Sequence, residues 1–185
     1  QQIEEIYDYL TIEHKIETIN PIVVRNEGVY DVPPASKVAL IEAYKKITKK
    51  NVDNVDKGKL RGFSNFDLEG KVINEKNKIQ YEMIAETYLK PKFYSNCVAG
   101  SIFGVVTSDG NVLPCEILDK DKALGNLKDY DFDFMKLWND KKASETRKWI
   151  KDTKCNCHWE CIFTYNLISS PKYSASIAGK ILKSK

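Results

Sequence analysis

Absences narrow the field first for this 185-residue chain. No apolar run approaches the roughly 20 residues of a membrane-spanning helix, so no membrane partner is expected. The opening Gln1-Gln2-Ile3-Glu4-Glu5 lacks the basic-then-apolar order of a secretory signal. Lysines are scattered and the net charge is only +3, which leaves no basic surface for a nucleic acid. Internal repeats and low-complexity tracts are missing, which argues against a solenoid or a disordered tether. Cysteine is sparse, and its five copies are an odd number gathered late in the chain, unlike a secreted disulfide scaffold. A reducing, cytoplasmic setting follows.

What is present reads as globular: 42% hydrophobic and 30% charged residues can build and solvate a core. The length allows one domain, or one and a fraction. The chain opens on Gln rather than Met inside a helical pattern, which suggests a portion of something longer.

Ile3, Ile6, Tyr7, Leu10, Ile16 and Ile19 form a helical stripe that Asn20-Pro21 stops. Ile22-Val23-Val24-Arg25 is β-branched and reads as a strand. Asp31 followed by Pro33 and Pro34 marks a helix start, with Val38, Ile41, Tyr44 and Ile47 as its apolar face. A polar stretch from Asn51 to Lys59 precedes a second short strand at Leu60-Arg61-Gly62. A third helix runs from Ile73 to Leu89. Alternating helices and strands predict part of an α/β layer over residues 1–92. Arg25 and Arg61, at predicted strand ends, are candidate functional groups, with a salt-bridged or solvated role as the simpler reading.

Past residue 93 the texture changes. Asp109-Gly110 signals a hairpin, and a turn centred there puts Cys115 roughly opposite Gly104. Cys97 then reaches Cys115 only if Val98-Ala99-Gly100 curls back. A polar loop from Asp119 to Asp131 leads to two short helices, around Phe134, Leu137 and Trp138 and from Ala143 to Ile150. If Cys157 to Cys161 is helical, its spacing puts both thiols on one face. Residues 169–185 form a Lys-ended tail with a short helix.

The cysteines read C-x17-C-x39-C-x-C-x3-C over Cys97, Cys115, Cys155, Cys157 and Cys161. Isolated cysteines are often plain buried apolar residues, but three within seven positions are not. Four thiolates are the usual ligands of an iron–sulfur cluster. They also suit structural zinc, although the C-x2-C knuckles common in zinc sites are missing here; that alternative is a non-catalytic module docking a protein partner. A thiol redox protein working through Cys155, Cys157 or Cys161 is the remaining reading, and it leaves Cys97 and Cys115 without a role.

Cys97-Val98-Ala99-Gly100, the hairpin Val105 to Cys115, Gly125-Asn126-Leu127, Leu137-Trp138, Arg147 and Cys155-x-Cys157-x3-Cys161 together resemble the SPASM domain. SPASM domains are auxiliary cluster-binding extensions of many radical S-adenosylmethionine (radical SAM) enzymes. The family's opening pattern, a Cys, then 9 to 15 residues, Gly, four residues and Cys, is met by Cys97, Gly110 and Cys115. The resemblance spans about residues 93–165 and implies a small α+β SPASM domain at 93–168. Full SPASM domains hold two auxiliary [4Fe–4S] clusters on seven cysteines; five imply one. Matching the closing C-x3-C places Cys161 with Cys97 and Cys115, the fourth ligand being Cys155 or Cys157 and the last a spare. The family also implies that residues 1–92 carry the last strands and helices of a partial (β/α)6 barrel. No C-x3-C-x2-C motif for the SAM-cleaving cluster is present, so SAM binding would fall to a half outside this chain. The implied parent is an oxidoreductase or maturase acting by radical chemistry on a peptide, protein or small molecule. Its electron donor would be a flavodoxin or ferredoxin, and the auxiliary cluster would relay electrons or shape the substrate pocket. Trp159 and Ile162 would shield that cluster from water, though core packing explains them as simply.

Overall fold

The computed structural model describes residues 2–24, 34–63 and 67–183. Its helices are α1 (Gln2–Asp8), α2 (Pro34–Asp56), α3 (Leu68–Leu89), α4 (Phe134–Trp138), α5 (Lys141–Asp152), α6 (Glu160–Ile168) and α7 (Pro171–Lys183). Its strands are β1 (Val105–Val106), β2 (Asn111–Leu113) and β3 (Gly125–Asn126). They form one antiparallel sheet in the order β1-β2-β3. The chain divides into two units, one of residues 1–92, 158–160 and 171–185, the other of residues 93–157 and 161–170.

Among its described residues the first unit has helices, joined by irregular segments, and no strand. The buried face of α2 is Ile41, Tyr44 and Ile47 with Thr48 and Asn51, whereas Val38 is exposed. The predicted polar stretch after Asn51 is not a loop: α2 continues to Asp56. It stops at Gly58, whose φ of +68° is a left-handed value that glycine adopts without a Cβ clash. The Gly58 N–H returns to the Val55 carbonyl and the Lys59 N–H to that of Asn54, a Schellman ending. Asp67 caps α3 by accepting the Gly70 N–H at 2.7 Å, so this helix starts five residues before Ile73. Tyr7, Ile47 and Leu60 form a buried cluster, and the Tyr7 hydroxyl donates to Asn51 Oδ1 at 3.1 Å.

Neither predicted strand of this unit is found among the described residues. Ile22–Val24 is irregular, with Val23 buried and its two neighbours exposed, and joins no sheet among the described residues; Arg25 lies outside them together with Asp31 and Pro33. Leu60 drops into the Tyr7 cluster and Gly62 turns at φ +66°. β-branched composition favours an extended chain, but only a neighbouring strand can satisfy its backbone groups. The strands of the expected barrel are therefore not found among the described residues.

The second unit is built around the small sheet. Val105 pairs with Leu113 and Val106 with Val112. The Thr107 N–H donates to Asn111 O and the Gly110 N–H to Thr107 O, with Gly110 at φ +92°. This is a three-residue loop with glycine in the positive-φ position. It shifts the register by one from the expectation: continued past Leu113, it sets Cys115 against Phe103 rather than Gly104. Within the predicted polar loop, Leu124 is fully buried and its N–H donates to Val112 O, which recruits Gly125–Asn126 as β3.

Candidate metal centre

All five cysteines meet one apolar cluster. Ala99, Cys115, Ile150 and Ile162 are its buried members, and Cys97, Cys155, Cys157 and Cys161 pack against it. None of the five is disulfide-bonded. Three local devices bring them there.

The first is the expected curl after Cys97. The Ser101 N–H donates to Val98 O at 3.0 Å and the Gly100 N–H to Phe103 O at 2.7 Å, with Gly100 at φ +71°. A Cβ on Gly100 would stand 3.2 Å from that of Pro114, so the loop is pressed against the residue before Cys115. Arg147 of α5 fixes the curl by donating to both Gly100 O and Trp138 O, while its guanidinium lies 4.9 Å from the centre of the Trp138 ring. Asn166 of α6 accepts the Val98 N–H at 2.9 Å.

The second device places Cys155. At the end of α5 the Cys155 N–H reaches Ile150 O and the Lys154 N–H reaches Lys151 O, again a Schellman ending. Its left-handed position is Lys154, at φ +50°. The motif favours an apolar contact between its last residue and the one five back, and Cys155 does pack on the cluster that contains Ile150.

The third concerns the closing pair. Cys157 is not helical; residues 155–159 are irregular and α6 begins at Glu160. The shared helical face expected for Cys157 and Cys161 is thus absent, and only Cys161 sits in the first turn of a helix. Trp159 and Ile162 are both buried, Ile162 inside the cysteine cluster.

The electrostatics follow from this packing. Cys155 donates a hydrogen bond to Cys97, and that bond, helped by the Ala99 N–H and Asn166, lowers the Cys97 thiol to about 7 against the opposing effect of burial. The same bond raises Cys155, reinforced by burial and by the charges of Cys97, Cys115 and Cys157. Burial raises Cys115, while the N–H groups of Leu118 and Ile117 pull the other way. Backbone N–H groups aimed at thiol sulfurs are what metal-bound thiolates require, because they stabilise the charged form.

No trio of Cys, His, Asp or Glu among the described residues is compact enough to hold a single ion. A tetrahedral zinc site needs sulfurs within about 2.3 Å of one point. Five thiols packed on one apolar cluster, with N–H donors at two of them, supply the thiolate donor set that an iron–sulfur cluster takes. Sequence reading missed the roles of Arg147, Asn166 and Lys154; only the order of the motif pointed to Arg147.

Residues 97–162 match the family model of SPASM, an iron–sulfur cluster-binding domain, which supports a SPASM-containing C-terminal portion. No match was found among curated proteins or among solved structures. No helix among the described residues is long and apolar enough to cross a membrane.

Proposed function

We propose that this chain supplies the auxiliary-cluster portion of a radical SAM enzyme that modifies a peptide or protein, with one [4Fe–4S] cluster held by four of its five cysteines. The observation that carries this reading is the convergence of the five thiols, within a SPASM match, on one cluster with N–H donors at Cys97 and Cys115. Cys97, Cys115 and Cys161 would be three of its ligands, as the family pattern implies, with Cys155 or Cys157 as the fourth. When bound, such a group supplies one-electron transfer. The chain's own residues do the rest: Arg147 and Asn166 hold the Cys97 loop, the Schellman ending sets Cys155, and Ile150 and Ile162 keep water away.

Anaerobic purification followed by iron, sulfide and zinc quantitation tests the reading. About four iron and four sulfide per chain, with absorbance that bleaches on reduction, support it. About one zinc without sulfide overturns it in favour of a structural zinc module. The chain alone, lacking C-x3-C-x2-C, is expected to form no 5′-deoxyadenosine from SAM.

A further inference from the structure

Away from the cysteines, the sheet presents an open edge beside an apolar groove. In the β1–β2 ladder the Thr107 N–H faces Asn111 and Val105 pairs with Leu113, so Val106 occupies the alternate position whose N–H and C=O point away from β2. The Val112 carbonyl accepts from the Leu124 N–H on the opposite side, which fixes this phase independently. Val106 also lines a groove of about 360 Å³, together with Ser101, Ile102, Phe103, Gly104, Val112, Phe134 and Trp138. Ile102 and Val106 are more than half exposed, at 59% and 53%. Gly104 lets the Trp138 ring form the wall, since a Cβ there would meet the ring at 3.2 Å.

We propose that this edge binds an extended, uncharged peptide segment as an added strand, its backbone on Val106 and alternate apolar side chains in the groove. Strand addition uses an unpaired edge for main-chain hydrogen bonds and neighbouring pockets for alternate side chains. Two features select the occupant. No lining residue carries a charge, so the groove complements apolar rather than acidic or basic side chains. Its volume of about 360 Å³ holds only a few side chains, which suits a short segment rather than a second copy of the chain. The proposal requires no metal at the cysteines.

The test is fluorescence anisotropy on the full chain with a labelled hexapeptide of alternating valine and threonine. Iron and sulfide are measured in the same samples, so a failure of the cluster reading stays distinguishable. Saturable binding insensitive to salt is expected, with roughly fivefold to tenfold weakening by Val106→Pro, which removes one outward N–H. Ile102→Ser should weaken it comparably. The peptide N-methylated at alternate amides, and one with glutamate replacing valine, should not bind the unmodified protein; these two keep the test valid if Val106→Pro fails to fold. Equal binding of the N-methylated peptide, indifference to Ile102→Ser, or sedimentation showing that the chain dimerises through this face would overturn the proposal.

Discussion

The two units hold their shape by different means. The first relies on long helices, α2 and α3 each exceeding 20 residues, and it tolerates a polar interior: Lys76, Asn77 and Gln80 are buried on α3, with Lys76 Nζ donating to Gln80 Oε1 at 2.9 Å. The second has strands of two and three residues and gets its order from single residues, among them Gly100, Gly110, Arg147 and the end of α5. Regular helices distribute stability over many equivalent bonds, whereas a fold of turns concentrates it in a few. An apolar cluster that carries five thiols also gains most from whatever those thiols bind.

The largest expected effect therefore separates the units. Removing the metal by anaerobic chelation, or replacing Cys115 by Ala, should strip iron to background. Hydrogen exchange should then rise sharply over residues 97–118 and 155–163, while α3 keeps its protection. Uniform loss of protection in both units would show that the helical unit depends equally on the thiols, and the contrast would fail.

Next is Arg147. It donates to two carbonyls from different parts of the second unit, and replacement by Met leaves both without their charged donor. A loss of about 2–4 kcal/mol in chemical denaturation is expected, with little rescue by Lys, whose single ammonium cannot span both acceptors. An effect below about 0.5 kcal/mol would place the clamp among dispensable surface contacts.

The first unit offers a pH test of its polar interior. Burial pushes the Lys76 ammonium from 10.5 down to about 8, with Glu160 acting against the shift. Between those values the unfolded chain binds a proton that the folded chain does not, so stability must rise with pH across that window. The gain is expected to reach up to about 3 kcal/mol and to be missing in Lys76→Met. Burial also raises Tyr44 and Tyr81, which works in the opposite direction above pH 10, so the informative quantity is wild type minus Lys76→Met between pH 8 and 9.5. Parallel curves would mean that Lys76 is hydrated in solution.

Legibility in the sequence follows the same division. The helices around Ile41, Ile84 and Ile150 were readable because their apolar spacing is intrinsic to the segment. Ile22–Val24 misled because strand propensity says nothing about whether a partner strand is present. Cys97, Cys115, Cys155, Cys157 and Cys161 were readable as a set, since soft ligands announce themselves by residue type. Their placement was not. It depends on one extra residue in the turn at Gly110, on an arginine reaching 47 positions back to Gly100, and on a helix that starts at Glu160 instead of Cys157. These are tertiary choices that periodicity does not encode.

The smallest prediction uses a motif that both units share. α2 and α5 end in the same pair of hydrogen bonds, but the left-handed position is Gly58 in one and Lys154 in the other. A side chain at positive φ costs roughly 1–2 kcal/mol relative to glycine, so the second unit accepts strain at the residue that delivers Cys155. Lys154→Gly should relieve it, less the contact of Lys154 Nζ with the Phe93 ring at 5.8 Å and the added freedom of glycine in the unfolded chain. A net gain of about 0.5 kcal/mol is expected, against a loss of about 1 kcal/mol for Gly58→Ala, whose Cβ meets no atom and suffers from φ alone. Thermal melts of the two variants decide the matter. If Lys154→Gly destabilises as much as Gly58→Ala, the lysine is retained for its ring contact, and the strain assigned to the end of α5 is not there.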